Sequence, residues 1–150
     1  MNKDTHLWKN IKISGTISFM FPLLLMIIGI VLSRNGFTGL VKNYEEGAVR
    51  FVQYILFAIG AGIFFFCDGI SDFFYKRVSL KDIKDKTFLY LIYILFIMGL
   101  LDIISITGFI GFLICGNISW LAVFVILNLS IGIKYFPSRK KMQRLIEKAG

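Results

Sequence analysis

Residues 88–133 form a run of 46 positions holding a single charge, Asp102. At 1.5 Å per residue a helix of that length measures about 70 Å, roughly twice the ~30 Å hydrocarbon thickness of a bilayer. One spanning helix cannot use so long a run, so it reads as two membrane spans joined by a turn. The rest of the chain agrees. Hydrophobic residues make up 57% and charged residues 17% of the 150, against about 25% charged in soluble domains, and the mean hydropathy is +0.75. That balance excludes a disordered chain, a fibrous repeat and a soluble domain of ordinary composition.

Two more spans precede the run. Residues 13–32 carry no charge. They exceed the 7–15-residue apolar core of an export signal and are followed by Ser33-Arg34 rather than a small-residue cleavage site, so an uncleaved first span is expected. Pro22 lies inside it and is expected to kink or loosen the helix. Residues 49–67 form the second span, with Gln53 and the small residues Ala58, Gly60, Ala61 and Gly62. Its helix is expected to continue toward Lys76. Within the long run, Thr107-Gly108 and Gly116-Asn117 are the breaker signals. They place span three at 88–106 and span four at 118–136, with 108–115 as a re-entrant or interfacial segment between them. The alternative is an abrupt turn at Gly108 and a long, tilted fourth helix. The fold class is an all-α integral membrane protein: a four-transmembrane-helix bundle in one domain, residues 1–150.

Basic residues orient such a bundle. Fourteen of the 17 Lys and Arg fall in the N-terminal tail, the second connection and the C-terminal tail; Arg34, Lys42 and Arg50 alone lie on the other side. With four spans those fourteen share one side, so both termini are expected in the cytoplasm. Trp8, Tyr44, Trp120 and Tyr135 sit near the span ends, where aromatic belts form. Ser79-x-x-Asp82 resembles a capping box ahead of span three. After Pro137, Ser138 is placed to cap a helix in which Met142, Leu145, Ile146 and Ala149 recur at helical spacing, while Arg139, Lys140, Lys141, Arg144 and Lys148 supply positive charge. A short basic amphipathic helix lying on anionic headgroups is expected there.

The polar residues inside the spans are the candidates for chemistry. Asp102 is the fifteenth residue of the nineteen in 88–106, in the outer third, and the first reading is a hydrated carboxylate near Ser105 or Thr107. The sharper reading is an intramembrane polar node with Asn128 and Gln53. Asp68 and Asp72, four apart at the end of span two, form an acidic pair on one helix face, with Lys76 and Arg77 as neutralising neighbours. Ala58 and Gly62 form a small-xxx-small pair for helix packing, within the bundle or against a partner.

Several function classes drop out. Cys67 and Cys115 stand 48 residues apart and His6 is the only histidine, so no zinc, haem or iron–sulfur ligand set is present and no cofactor is expected. Span four lacks the second aspartate of an aspartic dyad, and span one lacks the embedded glutamate of a small multidrug transporter. The basic excess follows from topology and does not call for nucleic acid. The expected function is therefore non-enzymatic. The chain reads as an interaction, accessory or regulatory subunit for another membrane protein, with anionic lipid and a second membrane protein or a second copy as its partners. The alternative is a small oligomeric transporter or channel with its path through Asp102. Small size, no export signal and Ile/Lys/Phe/Asn-rich usage suggest the bacterial cytoplasmic membrane. Reporter fusions after Gly150 and just before Lys76 are expected to read cytoplasmic and one at Lys42 external; an external C-terminus would contradict four spans.

Overall fold

The structure, a computed structural model, describes residues 3–41, 46–77, 86–140 and 143. These residues fold into helices α1 (Lys3–Arg34), α2 (Glu46–Arg77), α3 (Lys86–Cys115) and α4 (Ile118–Tyr135). Each contains a segment long and apolar enough to cross a membrane: Trp8–Arg34, Val49–Gly69, Tyr90–Cys115 and Ile118–Tyr135. Helices suit that solvent because hydrocarbon offers nothing to an unpaired N–H or C=O, and a helix satisfies both within its own segment. The four apolar helices read from composition are present, each long and apolar enough to span a membrane. α1 runs unbroken through Pro22, whose missing N–H removes one backbone hydrogen bond from the helix.

The third helix corrects the sequence reading. It continues through Gly108 as one 30-residue helix to Cys115; there is neither a re-entrant segment over 108–115 nor a turn at Gly108. A glycine breaks a helix readily in water, where the freed backbone is solvated, and not in hydrocarbon, where it would go unpaired. Gly108 has a packing role instead, because a side chain there would collide with Phe124 of α4. The turn falls at Gly116. Its φ of +68° suits a residue without Cβ, and its N–H donates to the Phe112 carbonyl at 2.7 Å, closing α3. The next residue, Asn117, caps α4 by accepting the Ser119 N–H at 2.9 Å.

The same end of the bundle is tied by the first connection. α1 stops in a Schellman turn, with Gly36 N–H on the Ser33 carbonyl and Phe37 N–H on the Leu32 carbonyl, both at 3.1 Å. The chain then crosses the α3–α4 turn, where Leu40 N–H donates to the Leu113 carbonyl at 2.8 Å. At the opposite end the exit from α4 lies across α1. Pro137 seats on Gly15, which has no Cβ to obstruct it, and Phe136 meets Phe19 edge to face, centroids 5.9 Å apart. The Tyr90 hydroxyl donates to the Ser138 carbonyl at 3.5 Å. Helical backbone resumes at 139–140. Most of the expected C-terminal helix, including Lys141, Met142, Arg144, Leu145, Ile146, Lys148 and Ala149, lies outside the described residues, as do Ser79 and Asp82.

α3 is the hub. It packs against the other three helices, while α1 and α2 do not meet. Half of the α3 span is buried and only 6% of the α2 span. The tightest joint is the ring of Phe124, which is fully buried. It lies against Gly60 of α2 and Gly108 of α3, with a Cβ at either glycine overlapping it. Phe57 and Trp120 close around it, centroids 6.4 and 6.0 Å away. Truncating a buried Phe costs about 3–5 kcal/mol. Phe124→Ala and Gly108→Leu are therefore expected to destabilise the bundle in a steric-trapping or detergent-unfolding assay. Gly62→Leu is expected to leave it unchanged, because nothing lies within 4 Å of that site.

Candidate functional site

The buried face of α1 is written in small and apolar residues at helical spacing: Ile11, Gly15, Ser18, Pro22, Leu25 and Gly29. Ser18 therefore points into the seam with α3. Its hydroxyl spans both carboxylate oxygens of Asp102, at 2.9 and 3.1 Å. Four residues on, Pro22 has no N–H to donate, so the Ser18 carbonyl lacks its helical amide partner. With α3 continuous to Cys115, Asp102 sits midway along the 26-residue Tyr90–Cys115 span, not in the outer third that 88–106 implied. A charge at such depth costs about 2.5–3.5 kcal/mol on insertion scales. The side chain is half-buried, and among the described residues Ser18 is its one side-chain partner.

The other polar candidates go elsewhere. Asn128 is buried against α3, its amide donating to the Leu101 carbonyl and the Ser105 hydroxyl, both at 2.6 Å. Gln53 donates to the Cys115 sulfur at 2.8 Å, at the far end of α3. Asp102, Asn128 and Gln53 thus form three separate contacts.

Asp68 is paired across helices. Lys134 reaches its oxygens at 2.8 and 2.6 Å, the Tyr135 hydroxyl donates to the same carboxylate, and the Lys134 ammonium lies 5.4 Å from the Tyr135 ring centre. Together with Cys67 and Ser130 they line a crevice of about 300 Å³. Both members of the ion pair are more than half exposed. Asp72 is exposed, and the side chains of Lys76 and Arg77 lie outside the described set.

Ala58 and Gly62 face outward. With Ile59, Phe66 and Gly69 they line a shallow apolar groove of about 550 Å³ on the outer side of α2; the glycine of α2 that packs inward is Gly60. Of the basic tail, the Arg139 guanidinium lies 5.6 Å from the Trp8 ring centre, and Lys140 is exposed.

One surface was not foreseen. Because α1 and α2 stay apart, α3 presents an uncovered face on which Leu95, Gly99, Ile103, Ile106 and Ile110 are exposed. Its opposite face, with Leu101, Ser105, Gly108 and Phe112, is buried. Asp102 lies at the border of the open face, against α1. Compared with known proteins, the chain matches no family model, no curated sequence and no solved structure.

Sequence reasoning missed Ser18, although its place four residues before Pro22 on a buried face was a usable signal. It also missed Lys134 and Tyr135, whose meeting with Asp68 depends on how α4 is rotated against α2. The two polar contacts differ in what they hold. Removing a buried hydrogen-bonding group costs about 1–3 kcal/mol, while exposed ion pairs are worth about 0–1 kcal/mol. Asn128→Ala is therefore expected to lower unfolding stability by more than Asp68→Asn, whose effect should stay below about 1 kcal/mol; unfolding of both variants in one detergent system measures this.

Proposed function

We propose that this chain is a non-enzymatic accessory subunit that works by docking onto another membrane protein. The observation that carries the reading is the open side of the bundle. A four-helix bundle that closed on itself would cover the central helix on all sides. Here α1 and α2 do not meet, and the exposed face of α3 combines branched apolar residues with Gly99, where nothing lies within 4 Å of the open position. Such a surface, bulky residues around a small one, admits a neighbouring helix at close range.

In this reading the protein sits in a bacterial cytoplasmic membrane with both termini inside. Arg139, Lys140 and the basic tail rest against anionic headgroups, each basic residue contributing about 1 kcal/mol near the surface. The alternative, a transporter or channel routed through Asp102, needs a continuous polar path. The sealed position of Asn128 and the pairing of Gln53 with Cys115 remove two of its stations.

Photocrosslinking in native cells tests the accessory reading. A crosslinker at Ile106, on the open face, is expected to give one adduct whose second component is a different membrane protein by mass spectrometry. The same group at Ile104, which is fully buried, is expected to give none. Lipid adducts alone, or only a homodimer, would overturn the proposal.

A further inference from the structure

Asp102 has more acceptor capacity than its surroundings have donors. An ionised carboxylate accepts at about four lone-pair positions; the Ser18 hydroxyl supplies one proton, shared between the two oxygens. The Ser18 carbonyl, deprived of its helical donor by Pro22, adds another acceptor at the same level of α1. Ser105, one turn further along α3, accepts from the Asn128 amide instead. What is missing at this spot is a donor with several protons and a positive charge.

The approach to the site says how such a donor arrives. The exposed residues beside Asp102 on the open face of α3 are apolar: Leu95, Ile103 and Ile106. No polar lining leads a hydrated ion to the carboxylate from that side. Gly99, one turn before Asp102, leaves open space beside it. A transmembrane helix carrying a basic side chain fits both conditions, since its backbone can lie close over Gly99 and its lysine or arginine is delivered at depth. A second copy of this chain cannot provide the charge. The basic residues of its described spans, Lys9, Lys12, Arg34, Arg50 and Lys134, all lie near span ends.

We infer that Asp102, oriented by Ser18, is a recognition site for a lysine or arginine at mid-depth in a transmembrane helix of a partner protein, which docks on the open face of α3 beside Gly99. The inference rests on the accessory reading and gives its partner a chemistry. Ser18 is a positioning residue, fixing the carboxylate toward the seam, and the partner's cation completes the set of donors.

The test uses the full-length protein in lipid vesicles with synthetic polyleucine helices of about 20 residues. The helices carry Lys, Leu or Glu at the centre, and association is read by energy transfer. The Lys helix is expected to associate about tenfold or more tightly than the Leu helix, within the range of close charge pairs at interfaces. Asp102→Asn, nearly isosteric, should abolish that preference, and Asp68→Asn should not. Gly99→Leu, which fills open space outside the bundle's own packing, should weaken association of the Lys and Leu helices alike while leaving Asp102 in place. Equal binding of Lys and Leu helices, a Lys preference that survives Asp102→Asn, or equal binding of the Glu helix would overturn the inference. The accessory reading fails separately. A heterologous adduct at Ile106 that is indifferent to Asp102→Asn keeps the accessory role and removes the basic partner. A Lys preference without any adduct keeps the chemistry and removes the role.

Discussion

Apolar side chains gain nothing by leaving hydrocarbon for the interior of a bundle, so these helices are held by closeness of contact. Closeness requires places where one helix has no side chain and its neighbour has a large one. Phe124 between Gly60 and Gly108 is the main such joint, and it binds α2, α3 and α4 at one point. Pro137 on Gly15 and Leu121 on Gly29 repeat the device between α1 and the α4 side of the molecule. The architecture follows from where these joints fall. α3 and α4 are clamped together, α1 is fastened along its small-residue face, and α2 is held mainly by one edge. That is why α2 shows most of its surface to the lipid and why α1 and α2 remain apart.

Much of this was legible in the sequence, for a physical reason. Spanning a bilayer imposes a length and an apolar composition that survive any detail of packing, so four spans could be counted from residues alone. What could not be counted was the rotation of each helix about its axis. Ala58 and Gly62 form the recognisable small-residue pair of α2, yet the packing glycine is Gly60, half a turn away. Spacing is the same on either face of a helix, and only the neighbour decides between them. The third helix shows the other limit. In water a glycine such as Gly108 marks a break. In lipid the backbone cannot afford an open turn, and positive φ at Gly116 was the feature that placed the corner. Moving that corner from Gly108 to Gly116 changed the depth of Asp102 and with it the meaning of the residue.

The polar side chains then sort themselves by how completely they are satisfied. Asn128 is buried with both its donors used, on a carbonyl and a hydroxyl, and it locks α4 to α3 at one register. Asp68 lies at a span end, where water reaches it and a lysine neutralises it. Neither position asks for anything beyond the chain. Asp102 differs on both counts. It is deep in the span, where a charge is least tolerated, and its one side-chain donor among the described residues comes from a helix whose own backbone is one hydrogen bond short at that level.

Its position on the bundle matters as much as its depth. A carboxylate that served only the fold would be enclosed on the α4 side of α3, as Ser105 is, with donors around it. Asp102 stands instead at the border between the α1 seam and the uncovered face, and the residues around it on that face are apolar apart from the open space at Gly99. A lipid chain can fill the space and cannot satisfy the carboxylate. The two irregularities of this bundle, a missing wall and a missing donor, therefore occur at the same place, and one helix bearing one basic side chain would remove both.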